Sequence, residues 1–206
     1  MPYLVLDLEM TGPDPGWNEI IQIGAVLFGD DWQQLGTYLQ NVYPEDEESF
    51  TAASEKIHGL SLDDLDDAPM VYDVLPEFEE WILKKLNRGS HPGQAGIGKL
   101  LMDVVVCGQS VIHDINFLQF AYRNEKLEWP FSRKLVDLHT LAYLMFKILA
   151  ANGKKTPKSL SLKAISAYFG YEREEGTHNA LEDAELTAKC FVEFFKISSR
   201  LKIAEV

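Results

Sequence analysis

Residues 4–13 read LVLDLEMTGP, an apolar, strand-like run that contains two acidic residues, Asp7 and Glu9. Side chains alternate across a β-strand, so both carboxylates project from one face, about 6.5 to 7 Å apart, while the intervening leucines enter the other face. Burying neighbouring carboxylates is costly unless they are paired or bind a cation, and no Lys or Arg precedes Lys56. A hard divalent metal ion would explain the pair, although an isolated Asp-x-Glu is most often a solvent-exposed face.

The segments around this strand predict the fold class. Residues 3–9, 20–28 and 33–42 are rich in strand-forming side chains and are joined by short, turn-like connections, which favours an antiparallel meander. Residues 71–86 carry a helical stripe of apolar side chains. Further along, the patterns predict short strands over 104–107 and 134–137 and helices over 116–127, 138–151, 159–169 and 179–202. Hairpin strands followed by βα units imply a mixed α/β sheet with helices on its faces.

Length and composition favour one domain over residues 1–206, since no linker-like segment divides the chain. Cys107 and Cys190 are far apart and lack metal-ligand spacing, so we expect reduced core residues rather than a disulfide or a zinc site. The N-terminus has no basic region ahead of a long apolar stretch, and the longest apolar segment is interrupted by polar residues. These features predict a cytoplasmic protein without a membrane partner.

The charge balance constrains the kind of substrate. With 32 acidic and 19 basic residues the formal net charge is −13. A field of this sign repels nucleic acid, so a phosphate-bearing substrate would have to be met by metal ions or by a local basic patch.

A further acid, Asp114, lies in the segment GQSVIHDINFLQ, just past the short strand over 104–107 and just before the helix predicted from residue 116. Strand ends and helix N-termini of an α/β sheet often build functional sites. Taken alone, Asp114 would more simply be a helix-start residue.

The segment THNALEDAELTA places a histidine and an acid at another helix start. Asn179 followed by Glu182 resembles a capping box, which makes Asn179 the N-cap, leaves His178 outside the helix and puts Asp183 in the first turn. Along a continuous helix, five residues would turn two side chains about 140° apart. A loop position for His178 therefore lets it face the same site as Asp183.

Together these motifs resemble one known family. Asp7-x-Glu9 with Thr11-Gly12, then Asp114 with Phe117-Leu118, then His178 and Asp183, are similar in order and surroundings to the DEDD superfamily of 3′→5′ exonucleases, histidine subclass (DEDDh). This family includes the proofreading epsilon subunit of bacterial replicative polymerase and oligoribonuclease. The resemblance implies a ribonuclease H-like fold with a mixed five-stranded sheet flanked by helices.

The resemblance also implies roles for individual residues. Asp7, Glu9 and Asp183 are expected to hold one Mg²⁺ or Mn²⁺, and Asp7 with Asp114 to help hold a second. His178 is expected to act as general base towards the attacking water. The residues after the first motif, Met10, Thr11 and Gly12, are expected to contact the terminal nucleotide, although Met10 could equally be a core residue.

The substrate is left open by the motifs. DLEMTG and GQSVIHD are closer to oligoribonuclease, whereas HNALEDAELTA is closer to the epsilon subunit. We expect a metal-dependent exonuclease acting on single-stranded or frayed 3′ ends, with DNA slightly favoured. The alternatives are an enzyme that degrades short RNA and a non-catalytic polymerase accessory module. A polymerase or a second copy of the chain is a possible partner.

Two other segments carry competing interpretations. GQAGIGKL, residues 93–100, approaches a phosphate-binding P-loop, but Leu100 replaces the required Ser or Thr, so a surface loop over residues 87–99 is the better prediction. NGKKTPKSLSLK supplies four lysines in an acidic chain. We expect a solvated loop there, with tracking of backbone phosphates as the alternative.

Overall fold

Five strands form one sheet in the part of the chain that the computed structural model describes, residues 1–172 and 179–202. They are β1 (Tyr3–Met10), β2 (Ile20–Phe28), β3 (Gln34–Asn41), β4 (Val105–Gly108) and β5 (Leu135–Asp137). Their order across the sheet is β3–β2–β1–β4–β5. The first three strands pair antiparallel, whereas β4 runs parallel to β1 and β5 parallel to β4. The prediction of a mixed five-stranded sheet is confirmed.

Helices cover both faces of this sheet. They are α1 (Ala52–His58), α2 (Leu62–Leu65), α3 (Val71–Lys85), α4 (Gln94–Leu101), α5 (Ile112–Asn124), α6 (Leu138–Ala151), α7 (Leu162–Tyr168) and α8 (Ala180–Ser198). The positions predicted for α3 and α6 match the structure closely. The short helices α1 and α2 were not predicted.

The alternation predicted for β1 divides its side chains between two cores. Leu4, Leu6 and Leu8 pack into the core that contains residues of α3, α4 and α5. Val5 points the other way, into the core formed with α6, α7 and α8. Asp7 and Glu9 continue the Val5 series, so they lie on the side of the sheet that α8 covers.

The surface loop predicted over residues 87–99 is wrong for its second half, where Gln94–Leu101 form α4. Ile97 and Leu101, one helical turn apart, are fully buried. Burying such a side chain stabilises by about 1.5–3 kcal/mol, which exceeds the roughly 1 kcal/mol that each helical glycine costs relative to alanine. Tertiary packing therefore decides the conformation of this glycine-rich segment.

The start of α5 also differs from the prediction, because the helix begins at Ile112 and so includes Asp114 in its first turn. Ser110 turns the chain with a φ of 55°. The backbone N–H of Val111 then donates to the side chain of Asp137 at 3.3 Å. Asp137 also accepts from the N–H of Thr140 at 2.9 Å and is the N-cap of α6.

Cys107 and Cys190 are free and buried, as predicted. Burial raises the pKa of both thiols to about 12. Over residues 1–172 and 179–202, no helix combines the length and apolarity that crossing a membrane requires.

Candidate active site

The N-terminus of α8 lies directly on β2 at a position that only glycine can occupy. Gly24 pairs with Asp7 across the β1–β2 ladder. A Cβ atom at Gly24 would stand 2.1 Å from the carbonyl carbon of Ala180 and 2.2 Å from the backbone nitrogen of Leu181. The missing side chain therefore lets the first turn of α8 contact the sheet beside Asp7.

Gln22, the partner of Glu9 in the same ladder, holds this helix start in place. Its side-chain carbonyl accepts from the backbone N–H of Ala180 at 2.9 Å, while its amide nitrogen donates to Asn41 at 2.7 Å. Asn179 is the N-cap of α8, as predicted, and accepts from the N–H of Leu181 at 2.9 Å. Sequence reasoning missed Gln22 and Gly24, although a buried glutamine in an otherwise apolar strand was a visible signal.

Three of the predicted site residues come together at this junction. Asp7 and Glu9 on β1 and Asp183 on α8 each offer a carboxylate oxygen, and these atoms all lie within 4.8 Å of one another. Glu9 and Asp183 are buried, whereas Asp7 is half-buried. A compact set of oxygen donors of this kind suits a hard divalent ion such as Mg²⁺ or Mn²⁺, so these residues fit the metal that the resemblance implies.

Asp114 approaches the same strand from its other edge but is not part of the three-carboxylate group. Its carboxylate accepts a hydrogen bond from the backbone N–H of Leu8, at 3.1 Å. The residue is buried, and burial raises the pKa of its carboxyl group to about 7. The bond to Leu8 opposes that rise because it favours the ionised form.

Of the three residues expected to contact substrate, Thr11 and Gly12 are enclosed by the protein. The Thr11 hydroxyl lies 3.0 Å from that of Ser49 and accepts from the N–H of Glu19 at 2.9 Å. A Cβ atom on Gly12 would lie 2.5 Å from the Asn18 amide. Met10 follows a bulge in β1 and is half-buried against the α3–α5 core, so it keeps some exposed surface.

His178, the predicted general base, lies outside the described residues. What the structure describes is the cap that follows it. Because Asn179 has an extended backbone, with φ −126° and ψ 125°, α8 begins only after residue 178.

Comparison with known proteins identifies the class that this fold and this site define. A family model described as "Exonuclease" (RNase_T) matches residues 4–91. The DNA polymerase III subunit epsilon of Aquifex aeolicus is 30% identical over 201 residues, which cover 94% of this chain and 80% of that protein. The chain belongs to the RNase_T family of exonucleases, and it is a 3′→5′ exonuclease, as its motifs predict.

Two further similar proteins match nearly the whole chain. Cap18 of Escherichia coli, a 3′–5′ DNA exonuclease, is 25% identical over 202 residues, covering 98% of this chain and 95% of that protein. The nuclease domain of 3′hExo, a DEDDh family member solved with rAMP, has a TM-score of 0.73 at 20% identity, over 99% of this chain and 96% of that chain. This second likeness concerns the fold.

The chain is much shorter than some of its relatives. The PolC-type DNA polymerase III of Thermotoga petrophila is 28% identical over 205 residues, which are 99% of this chain and 12% of that polymerase. Similarity to the polymerase therefore concerns one eighth of its length.

Proposed function

We propose that this exonuclease removes 5′-mononucleotides from the 3′ ends of single-stranded or frayed DNA in a metal-dependent reaction. The observation that carries the proposal is the convergence of the Asp7, Glu9 and Asp183 carboxylates within 4.8 Å of one another. Three anionic groups at this separation repel one another, and a divalent cation is the partner that best offsets this repulsion.

Individual residues of the site would have separate roles in this reaction. Asp7, Glu9 and Asp183 would hold one Mg²⁺ or Mn²⁺, and Asp7 with Asp114 would help to hold a second. Bound ions of this kind stabilise the negative charge that develops on phosphate oxygens during hydrolysis. His178 would take the proton from the attacking water, a task that suits an imidazole near neutral pH.

Substrate contact in this proposal falls mainly to Met10, which follows Glu9 in β1 and keeps part of its side chain exposed. Thr11 would stabilise that segment through its hydrogen bonds to Ser49 and Glu19. Gly12 would allow the close packing of Asn18 and leave space at the terminal nucleotide. A direct contact from Thr11 or Gly12 to substrate stays a prediction.

The names of the relatives favour DNA over RNA. Cap18 is a DNA exonuclease, and the epsilon subunit and PolC belong to DNA polymerases. The second candidate is degradation of short RNA, since the structurally similar 3′hExo domain was solved with rAMP. Association with a polymerase follows from the epsilon likeness and is part of the proposal, while a homodimer and a cytoplasmic location stay predictions of the sequence.

Digestion of 5′-labelled oligomers tests the proposal. Matched DNA and RNA strands of about 3 to about 30 nucleotides are incubated with Mg²⁺ or Mn²⁺. The longer strands are long enough to span a single-strand binding site. We expect shortening from the 3′ end, faster for DNA, and no reaction in EDTA. Hydrolysis that continues in EDTA would contradict the metal assignment.

A pair of variants on one helix provides the matched control. Asp183→Asn should abolish hydrolysis and weaken Mn²⁺ binding measured by calorimetry, whereas Glu182→Gln removes a neighbouring exposed carboxylate and should leave both unchanged. Calorimetry also separates an enzyme from a non-catalytic module, which should bind no pair of metal ions.

A further inference from the structure

A cleft with a volume of about 1000 Å³ lies between α4, α5 and residues 127–135, on the face of the sheet opposite α8. We call this cleft the α4–α5 groove. Ile112 lines it, and this residue shares the first turn of α5 with Asp114. The lining continues along α5 from Ile112 to Arg123, about 16 Å away at 1.5 Å per residue.

The lining of the groove is basic, in contrast to the chain as a whole. It includes four cationic side chains and one acidic one, which is a local net charge of +3 in a chain of net charge −13. The cations are Lys99, Arg123, Arg133 and Lys134, and the acid is Glu128. All five side chains are exposed. The ion pairs that the structure records among its described residues include none of them.

Apolar surface accompanies these charges. Met102, Ile112 and Leu135 line the groove and are 66%, 55% and 41% exposed, and the half-buried Trp129 lies in the same wall. Cations together with exposed apolar or aromatic groups are the combination that binds single-stranded nucleic acid, with phosphates on the cations and bases on the apolar groups.

We propose that the α4–α5 groove binds the single strand on the 5′ side of the nucleotide being removed. This inference rests on the proposed function, because it takes the carboxylate site as the position of the 3′ end. Charge complementarity selects the occupant: an acidic enzyme that must hold a polyanion concentrates cations along one cleft, whose lining reaches the first turn of α5. An acidic peptide of a partner protein would use the same charges, and the test distinguishes it.

Binding is measured first, because it does not depend on turnover. The groove variant combines Lys99→Gln, Arg133→Gln and Lys134→Gln, all at exposed positions outside the catalytic site. Fluorescence anisotropy in Ca²⁺ measures the affinity for a labelled single-stranded DNA of about 20 nucleotides, roughly the length that two or more single-strand sites occupy. We expect the variant to bind on the order of tenfold more weakly than the wild type.

The charge-matched control neutralises the rival basic segment. Lys154→Gln, Lys155→Gln and Lys158→Gln remove three exposed lysines between α6 and α7, which the sequence offers as an alternative phosphate-tracking patch. We expect this control to bind like the wild type. If the control loses affinity and the groove variant does not, the strand follows the lysine segment and the groove proposal is overturned.

Salt dependence gives a second, quantitative readout. Each cation that contacts a phosphate of a single strand contributes a slope of about 0.7 to the fall of log affinity with log salt concentration. The groove variant should therefore show a slope smaller by about 2 than that of the wild type. An unchanged slope, together with unchanged affinity, would mean that no strand lies in the groove, as expected if the groove serves a peptide instead.

A substrate that is a single nucleotide ester tests the catalytic site without testing the groove, so it distinguishes failure of the groove proposal from failure of the proposed function. The p-nitrophenyl ester of thymidine 5′-monophosphate presents a phosphodiester to the carboxylate site but reaches none of the groove. We expect the groove variant to hydrolyse it at the wild-type rate while its KM for the 20-nucleotide DNA rises about tenfold. Failure of the wild type on both substrates refutes the proposed function, whereas equal DNA binding by wild type and variant refutes the groove.

Discussion

The Asp114 carboxylate and the Leu8 backbone N–H form a hydrogen bond of 3.1 Å that joins α5 to the middle of β1. Leu8 stands between Asp7 and Glu9, so this bond fixes Asp114 relative to both. The N–H group is available because β4 pairs with β1 only at residues 3–5. Beyond the end of β4, the Asp114 carboxylate therefore accepts the β1 hydrogen bond that a neighbouring strand would otherwise accept. This places the carboxyl group of Asp114 next to the candidate active site.

Two substitutions at Asp114 separate its charge from its hydrogen bond. Asp114→Asn keeps an acceptor for the Leu8 N–H, so we expect near-normal stability with loss of hydrolysis. Asp114→Ala leaves that buried N–H without its side-chain acceptor and should lower the free energy of unfolding by about 1–3 kcal/mol. Urea denaturation checks the difference, and equal stability of the two variants would mean that the bond contributes nothing.

The raised pKa of Asp114 predicts a pH dependence of stability in the metal-free protein. Its folded pKa, about 7, lies above the ordinary value of 3.8, so the folded chain binds this proton more tightly than the unfolded chain does. The stabilisation is full below pH 4 and is lost as the pH rises through about 7.

This contribution is measured by denaturation in EDTA between about pH 3 and about pH 8, so that the range extends below the lower and above the upper of the two pKa values. Asp114→Asn should lack it, so the variant gains stability relative to the wild type as the pH rises. Adding Mg²⁺ at the upper pH should stabilise the wild type, because a bound cation favours the ionised carboxylate. A difference between variant and wild type that is constant with pH would contradict this account.

Gly24 is predicted to be essential for activity through packing alone. Gly24→Ala puts a Cβ atom 2.1 Å from the backbone of Ala180, so α8 must move and carry Asp183 with it. We expect a loss of about 1–3 kcal/mol in stability, with a fall in hydrolysis on the order of a hundredfold.

Gly98→Ala is the matched control for this change. Gly98 lies within α4, and nothing approaches its Cβ position within 4 Å. Alanine there should stabilise the protein by about 0.5–1 kcal/mol and leave hydrolysis of the nitrophenyl ester unchanged. If Gly24→Ala behaved like this control, close packing at the α8 junction would not position Asp183.

A hydrogen bond between His91 and the buried Glu79 is predicted to anchor the segment before α4. The Glu79 side chain on α3 is fully buried, with its carboxylate 2.7 Å from Nε2 of His91. The backbone N–H of Gly93 donates to Nδ1 of His91 at 3.0 Å, so Nε2 carries the proton that it shares with Glu79.

His91→Ala removes this hydrogen bond to the buried Glu79, which keeps the Gln94 side chain as a donor at 3.2 Å, so we expect a cost of about 1–3 kcal/mol. His139→Ala, at an exposed position, should be neutral. Thermal and urea unfolding compare the two, and the nitrophenyl ester should be hydrolysed equally by both. A His91→Ala protein as stable as the wild type would show that the pair does not anchor α4.

The sequence alone determined the elements whose signals are local. Alternation along residues 3–10 put Asp7 and Glu9 on one face of β1, and the capping residues predicted the start of α8 at Asn179. The cap at Asp137 is a local feature of the same kind, because its carboxylate accepts from Thr140, three residues along the chain. Such features depend on neighbours within about four residues, which a sequence displays directly.

Tertiary structure decided what depends on distant partners. The contact of Gly24 with Ala180, the bond from Leu8 to Asp114 and the helix over Gln94–Leu101 each require residues that lie far apart in the chain or that bury side chains in a shared core. Propensity is a weak local term, and packing against the sheet overrides it. The order of the acids in the chain therefore predicted which groups belong to the site, and only the fold brought three of their carboxylates within 4.8 Å of one another.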